Sequence, residues 1–135
     1  MQLDRKHVTV ASRVMLPAYA VLFAGLGLNY VVTSRARLTL SPTLAYADGL
    51  LPLPAWGVLF LCVAALMVAA LLTKTRMLFR YGLWLGIVCM TIWAGVFASA
   101  AYGPGGDASP AAFLWPAFVA TACYASNRSL LTGEV

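Results

Sequence analysis

Charge is what this chain lacks. Of 135 residues, nine are Lys or Arg, four are Asp or Glu and one is His. Four stretches hold no charged residue at all: 14–34, 49–73, 81–106 and 108–127, each 20 to 26 residues long. A typical soluble domain is about a quarter charged. A water-soluble fold would have to cover these runs with polar surface, and too few residues remain outside them to do so. A bilayer removes that demand. Its hydrocarbon core of about 30 Å is crossed by roughly 20 apolar residues of helix. A 62% hydrophobic chain with mean hydropathy +0.86 is thus expected to form one all-α domain over residues 1–135. That domain is an integral membrane four-helix bundle with spans at about 14–32, 55–73, 81–101 and 110–125.

Other absences narrow the function. No Asp, Glu, Lys, Arg or His falls within a span. Proton and ion pathways place such groups at membrane depth despite a cost of about 2.5–3.5 kcal/mol on insertion scales, so a proton-coupled transporter is not expected. His7 is the only histidine and lies far in sequence from Cys62, Cys89 and Cys123. A nucleophile needs a base within hydrogen-bond reach, and no HExxH, GxSxG or phosphate-binding loop occurs. The three cysteines form no CxxC pair and each sits inside an apolar run, as small packing residues do. No catalytic, cofactor-binding or metal site is expected, and the chain is not read as an enzyme. Gly25-Leu26-Gly27 is too short for a dinucleotide fingerprint and lies in a predicted helix.

What charge there is orients the chain. Lys and Arg accumulate on the cytoplasmic side of membrane proteins. Arg5, Lys6 and Arg13 precede the first span, Lys74, Arg76 and Arg80 join the second to the third, and Arg128 follows the fourth. Only Arg35 and Arg37 lie on the other side. Seven against two puts both termini in the cytoplasm, with the protein in the inner membrane. The same distribution, basic residues at span ends rather than on one face, excludes nucleic acid as a partner. The first run is too long for a signal-peptide core and is expected to stay as a span. Trp56, Tyr102 and Trp115 fall near outer span ends and Tyr81, Trp84 and Tyr124 near inner ones, where aromatic rings prefer the headgroup level. Trp93 lies deeper and is expected between helices.

Proline sets several boundaries. Pro17 sits near the expected first turn of span one, where a missing N–H costs little. Pro52 and Pro54 fix the start of span two. Gly103-Pro104-Gly105-Gly106 ends span three. Pro116 falls inside the shortest span and predicts a kink. The one sizeable loop, 34–54, is expected to hold a short interfacial helix starting at Ser41-Pro42, running through Ala47 and ending at Gly49, with Tyr46 and Leu50 one turn apart. Asp48 is expected to pair with Arg35 or Arg37.

Small residues four apart let helices approach closely in lipid. Ala20 and Ala24, Ala65 and Ala69, Gly95 and Ser99, and Ala117 and Thr121 have that spacing. Among the few polar groups in the spans (Asn29, Tyr30, Thr91 and Thr121), Asn29 is the best placed for a hydrogen bond between helices. The expected partners are the lipid bilayer, further copies of the chain and other membrane proteins.

Several stretches carry a resemblance. They are Met15-Leu16-Pro17 with Tyr19, Ser41-Pro42 with Leu44-Ala45-Tyr46-Ala47-Asp48, Trp56-Gly57 with Leu59-Phe60, Arg80-Tyr81, Leu114-Trp115-Pro116, and Ala125-Ser126 with Arg128-Ser129-Leu130. The pattern resembles small four-span membrane proteins encoded by bacteriophages of high-GC Gram-positive bacteria, some of which are called holins. The resemblance implies a setting and no site residues. The expected function is that of a non-enzymatic accessory protein of the inner membrane, acting through helix packing or partner binding. One alternative is a holin-like pore former in host lysis. A second is a small transporter or channel subunit.

Overall fold

The computed structural model describes residues 7–32, 42–103 and 109–132. The helices in chain order are α1 (His7–Val31), α2 (Pro42–Leu50), α3 (Leu53–Thr73) and α4 (Arg76–Tyr102), then a 3-10 turn at Pro110–Phe113 that leads into α5 (Leu114–Thr132). No strand occurs among the described residues.

Three helices are long and apolar enough to cross a membrane, in the segments Val14–Val31, Leu53–Thr73 and Met77–Tyr102. The expectation was four. The fourth charge-free run is not matched by an equally apolar helix. Its opening holds the 3-10 turn, and α5 continues through Asn127 at the run's end and past it through Arg128. With Trp115, Pro116 and Tyr124 also inside it, α5 is much more polar than the other three.

Helix ends differ from the expected spans for a common reason. Absence of charge measures where a segment is apolar, not where its backbone stops being helical. α1 begins at His7, so Pro17 lies in the helix interior and not near the first turn. There its ring removes one intrahelical hydrogen bond. α4 begins at Arg76, since arginine is a good helix former and the helix runs on through Arg80. Pro116 shifts the other way. It is the third residue of α5, just behind the 3-10 turn, and so stands near the start of the helix and not at its middle. Pro52 precedes α3 and Pro54 sits in its first turn, as proline at a helix start does. The turn into α4 is tight. Lys74 takes the left-handed conformation, φ 52° and ψ 30°, closing α3 where glycine is usual.

The expected short helix in the first long loop is present as α2, and Tyr46 and Leu50 are both exposed on it. Gly49 lies in its last turn rather than beyond it. Arg35 and Arg37 fall outside the described residues. The described partner of Asp48 is backbone. Its Oδ1 accepts the N–H of Leu53 at 2.8 Å, tying α2 to the first turn of α3.

α1 packs on α3, α3 on α4 and α4 on α5, while α2 lies against α4 and α3. Buried positions recur at helical spacing: Leu16, Tyr19, Ala20, Phe23 and Tyr30 on α1, and Leu53, Trp56, Phe60, Val63, Ala64, Met67 and Ala70 on α3. The same spacing places Phe79, Leu83, Met90, Trp93, Phe97 and Ala100 on the inner face of α4. One end of the bundle thus carries α2, and the other carries Lys74 and the start of α4.

Candidate functional site

Three constructions hold the helices together. The first is a crossing of α1 and α3 at bare backbone. A Cβ built on Gly27 would lie 2.9 Å from the Gly57 carbonyl oxygen, and one on Gly57 would lie 2.7 Å from the Gly27 carbonyl oxygen and 2.8 Å from the Val31 nitrogen. Only two glycines allow this approach. It is the close contact that small residues are enriched for in membrane helices, made by a pair one residue from each helix.

The second construction fills the half of the bundle nearer α2 with aromatic rings. Trp93 on α4 is fully buried. Its ring centroid lies 4.9 Å from Trp56, 5.1 Å from Tyr30, 5.6 Å from Phe60 and 5.1 Å from Phe97. The Trp56 and Phe60 contacts are edge-on, the preferred arrangement for aromatic quadrupoles. Phe97 continues the stack to Trp115 on α5 at 6.0 Å, and Tyr102 meets Phe113 of the 3-10 turn at 6.2 Å. Trp56 Nε1 donates to the Ala47 carbonyl at 3.2 Å, so α2 is anchored over this cluster. Trp93 Nε1 is buried beside the Tyr30 hydroxyl and makes no hydrogen bond of good geometry.

The third is polar and lies toward the Lys74 end. Tyr19 on α1 and Ser126 on α5 join their hydroxyls at 3.0 Å. Ser126 Oγ is also 2.9 Å from the Ala122 carbonyl and 3.5 Å from Met15 Sδ. A serine has one hydroxyl proton. Donation to Ala122 leaves the Ser126 oxygen to accept from Tyr19, and this arrangement satisfies both. Next to Ser126 in sequence, Asn127 is 1% exposed and its Oδ1 has no partner. The Tyr19–Ser126 link is expected to contribute about 0.6–1.7 kcal/mol, the range of such bonds in membrane bundles. A double-mutant cycle of Tyr19→Phe and Ser126→Ala, read by unfolding in mixed micelles, measures it. A coupling of zero would show that the two hydroxyls do not act on each other.

The residues expected to pack are distributed unevenly. Ala20 is buried and Ala24 packs half-buried against the core. Ala69 and Ala117 are half-buried, and their carbonyls accept from Thr73 Oγ1 at 2.8 Å and Thr121 Oγ1 at 2.9 Å within their own helices. Ala65, Gly95, Ser99, Thr121 and Asn29 lie nearer the surface, and a Cβ on Gly95 meets nothing within 4 Å. These five are not part of the buried interior of the bundle. Of the basic residues, Lys74 and Arg128 are exposed and Arg80 is half-buried, while Arg13 and Arg76 lie in α1 and α4. Arg5 and Lys6 fall outside the described residues.

Gly27, Gly57, Tyr19, Ser126 and Asn127 were not singled out by spacing, although Tyr19, Phe23 and Gly27 follow one another every fourth residue along the inner face of α1. Cys62 is exposed, Cys89 and Cys123 are buried, and all three are free thiols. Among the described residues no three His, Cys, Asp or Glu side chains come together. The arrangement is one of shape, close backbone approach and a few hydroxyl bonds. Comparison of the chain with protein-family models, with curated proteins and with solved structures found no match.

Proposed function

We propose that this chain is a multi-pass integral membrane protein that works by packing against other membrane proteins or further copies of itself, without catalysis. The observation that carries the reading is the double character of its long helices. Their inner faces meet in a filled aromatic interior. Their outer faces stay apolar and unpartnered: Val14, Val21 and Leu28 on α1, Val58, Leu59, Val68 and Leu72 on α3, and Val88 and Ile92 on α4 are all exposed. A soluble monomer rarely shows apolar patches beyond a few hundred Å², whereas lipid covers such faces at no cost. The filled interior, with Phe60, Met67, Leu83 and Trp93 fully buried, favours this reading over a polar path through a single copy.

In the proposal α5 is a fourth, shorter crossing. Its 19 residues extend about 28 Å at 1.5 Å per residue. The Phe97–Trp115 and Tyr19–Ser126 contacts support a course antiparallel to α4, ending beside the first half of α1. Both termini then lie on the Lys/Arg-rich, cytoplasmic side of the inner membrane, with α2 at the outer interface. The setting of a phage-encoded accessory protein rests on the resemblance of the stretches quoted above.

The test is labelling of single cysteines with a membrane-impermeant maleimide, in a variant whose native cysteines are replaced by alanine. Tyr46→Cys is expected to label in intact cells, and Thr75→Cys only after permeabilisation. Labelling of both from outside would sink the topology. Steady growth on induced expression is expected as well. An abrupt halt with leakage would replace this reading with that of a pore former.

A further inference from the structure

We infer that Arg80 seats the phosphate of an anionic phospholipid headgroup at the Lys74 end of the bundle. The inference rests on the membrane reading above and adds a ligand to it. Arg80 lies just over one turn into α4 and is half-buried, and its Nε is sealed from solvent without a hydrogen-bond acceptor. A guanidinium does not lose its proton in proteins. Nε itself is closed to an outside ligand, so an anionic acceptor meets the half-buried guanidinium at its terminal nitrogens.

The chain offers little. It has four carboxylates, Asp4, Asp48, Asp107 and Glu134. Asp48 is at the opposite end and bonds to Leu53 N. The other three lie outside the described residues, and among the described residues no carboxylate pairs with Arg80. An acceptor from outside the chain fits the donor, and the neighbours indicate its kind. Tyr81 and Trp84, the next residue and the one a turn further on, are both exposed. Exposed Tyr and Trp rings settle at the headgroup level of a bilayer. Lys74 is exposed one helical turn or so beyond, at the α3–α4 turn. A half-buried arginine flanked by headgroup-level rings and an outer lysine matches the basic sites between membrane helices that take anionic headgroups. A phosphodiester supplies one negative charge and two oxygens in the geometry of the guanidinium fork. The acyl chains of the same lipid would lie along the apolar outer face of α4, at Val88 and Ile92. Free phosphate has no such second contact.

The experiment uses the full chain in mixed micelles holding equal phosphatidylglycerol and phosphatidylcholine, with retained lipid counted by native mass spectrometry. The wild type is expected to retain phosphatidylglycerol preferentially. Arg80→Gln should lower that retention about tenfold, the equivalent of one charge-assisted contact. Arg80→Lys, which keeps the charge and loses the fork, should lower it two- to threefold, and it serves if the glutamine variant does not fold. Lys74→Gln should change it less than twofold. Equal retention by the wild type and both Arg80 variants overturns the inference, and so does an equal loss in Lys74→Gln, which would mean diffuse surface charge. Displacement of the lipid by millimolar inorganic phosphate overturns the lipid as occupant. Resistance to carbonate extraction is read in parallel: a protein that stays in the membrane but shows no lipid preference refutes the site alone, and one that is extracted refutes the membrane reading.

Discussion

Gly57→Val is expected to destabilise the bundle by about 3 kcal/mol, while the same change at Gly25 costs less than about 0.5 kcal/mol. Both glycines lie in apolar helices, and both substitutions raise helix propensity. They differ in what the new atoms meet. At Gly57 a Cβ lands 2.7 Å from the Gly27 carbonyl oxygen and 2.8 Å from the Val31 nitrogen, whereas at Gly25 it meets nothing within 4 Å. The obstruction at Gly57 is backbone, which no rotamer change can move. α1 and α3 have to separate, and every contact along their shared face, Phe23 against Phe60 among them, loosens together. In the proposed bilayer setting no hydrophobic gain offsets the loss, because lipid solvates the parted faces as well as protein does. Midpoints of unfolding in mixed micelles for wild type, Gly25→Val and Gly57→Val decide the matter. Equal shifts for the two variants would mean that the α1–α3 crossing is not where the glycines place it.

The same pair of glycines marks how far the residues alone could be read. Apolar runs are legible from one strand of text because a span is a property of one segment. α1, α3 and α4 each cover an expected span to within a residue, and α2 opens at Ser41-Pro42 and runs one residue past Gly49. The ends were less legible, since charge stops a span without stopping a helix, and α1 and α4 run on into their basic flanks. α5 was less legible for the converse reason: a run without charge still held Trp115, Pro116 and Tyr124, which leave its helix less apolar than the other three. Contacts between helices were the least legible. Ala65 and Ala69 share a packing spacing, yet Ala65 is exposed and Ala69 half-buried, so in a chain this rich in alanine the spacing alone does not tell which face a partner helix meets. The Gly27–Gly57 approach joins residues thirty apart, and the Tyr19–Ser126 bond joins residues 107 apart. Each needs the relative rotation and depth of two helices, which no local pattern encodes. Trp93 was an exception: a tryptophan too deep for the headgroup level has few places to go except between helices.

Trp93→Ala is accordingly expected to be the most costly truncation in the aromatic interior, at about 3 kcal/mol, the lower end of the range for buried Trp or Phe to Ala. In water part of that range comes from apolar transfer. In a bilayer the transfer contribution is small, and the loss is one of contact. The ring touches Tyr30 from α1, Trp56 and Phe60 from α3 and Phe97 from its own helix, so its removal leaves a void shared by three helices that no single shift can close. Trp93→Phe separates packing from polarity. It keeps a ring in the centre and deletes the buried Nε1–H, which makes no well-formed bond to the nearby Tyr30 hydroxyl. An unpaired buried donor costs about 1–3 kcal/mol, so its removal offsets much of the lost volume, and Trp93→Phe should fall within about 1 kcal/mol of wild type. Trp84→Ala supplies the outward-facing comparison, since that residue is 46% exposed and lies outside the buried interior. Unfolding free energies in mixed micelles should therefore rank Trp93→Ala far below Trp84→Ala and Trp93→Phe. A Trp93→Phe protein as unstable as Trp93→Ala would show that the indole nitrogen is held by a bond and that the centre of the bundle is a polar contact rather than a packed one.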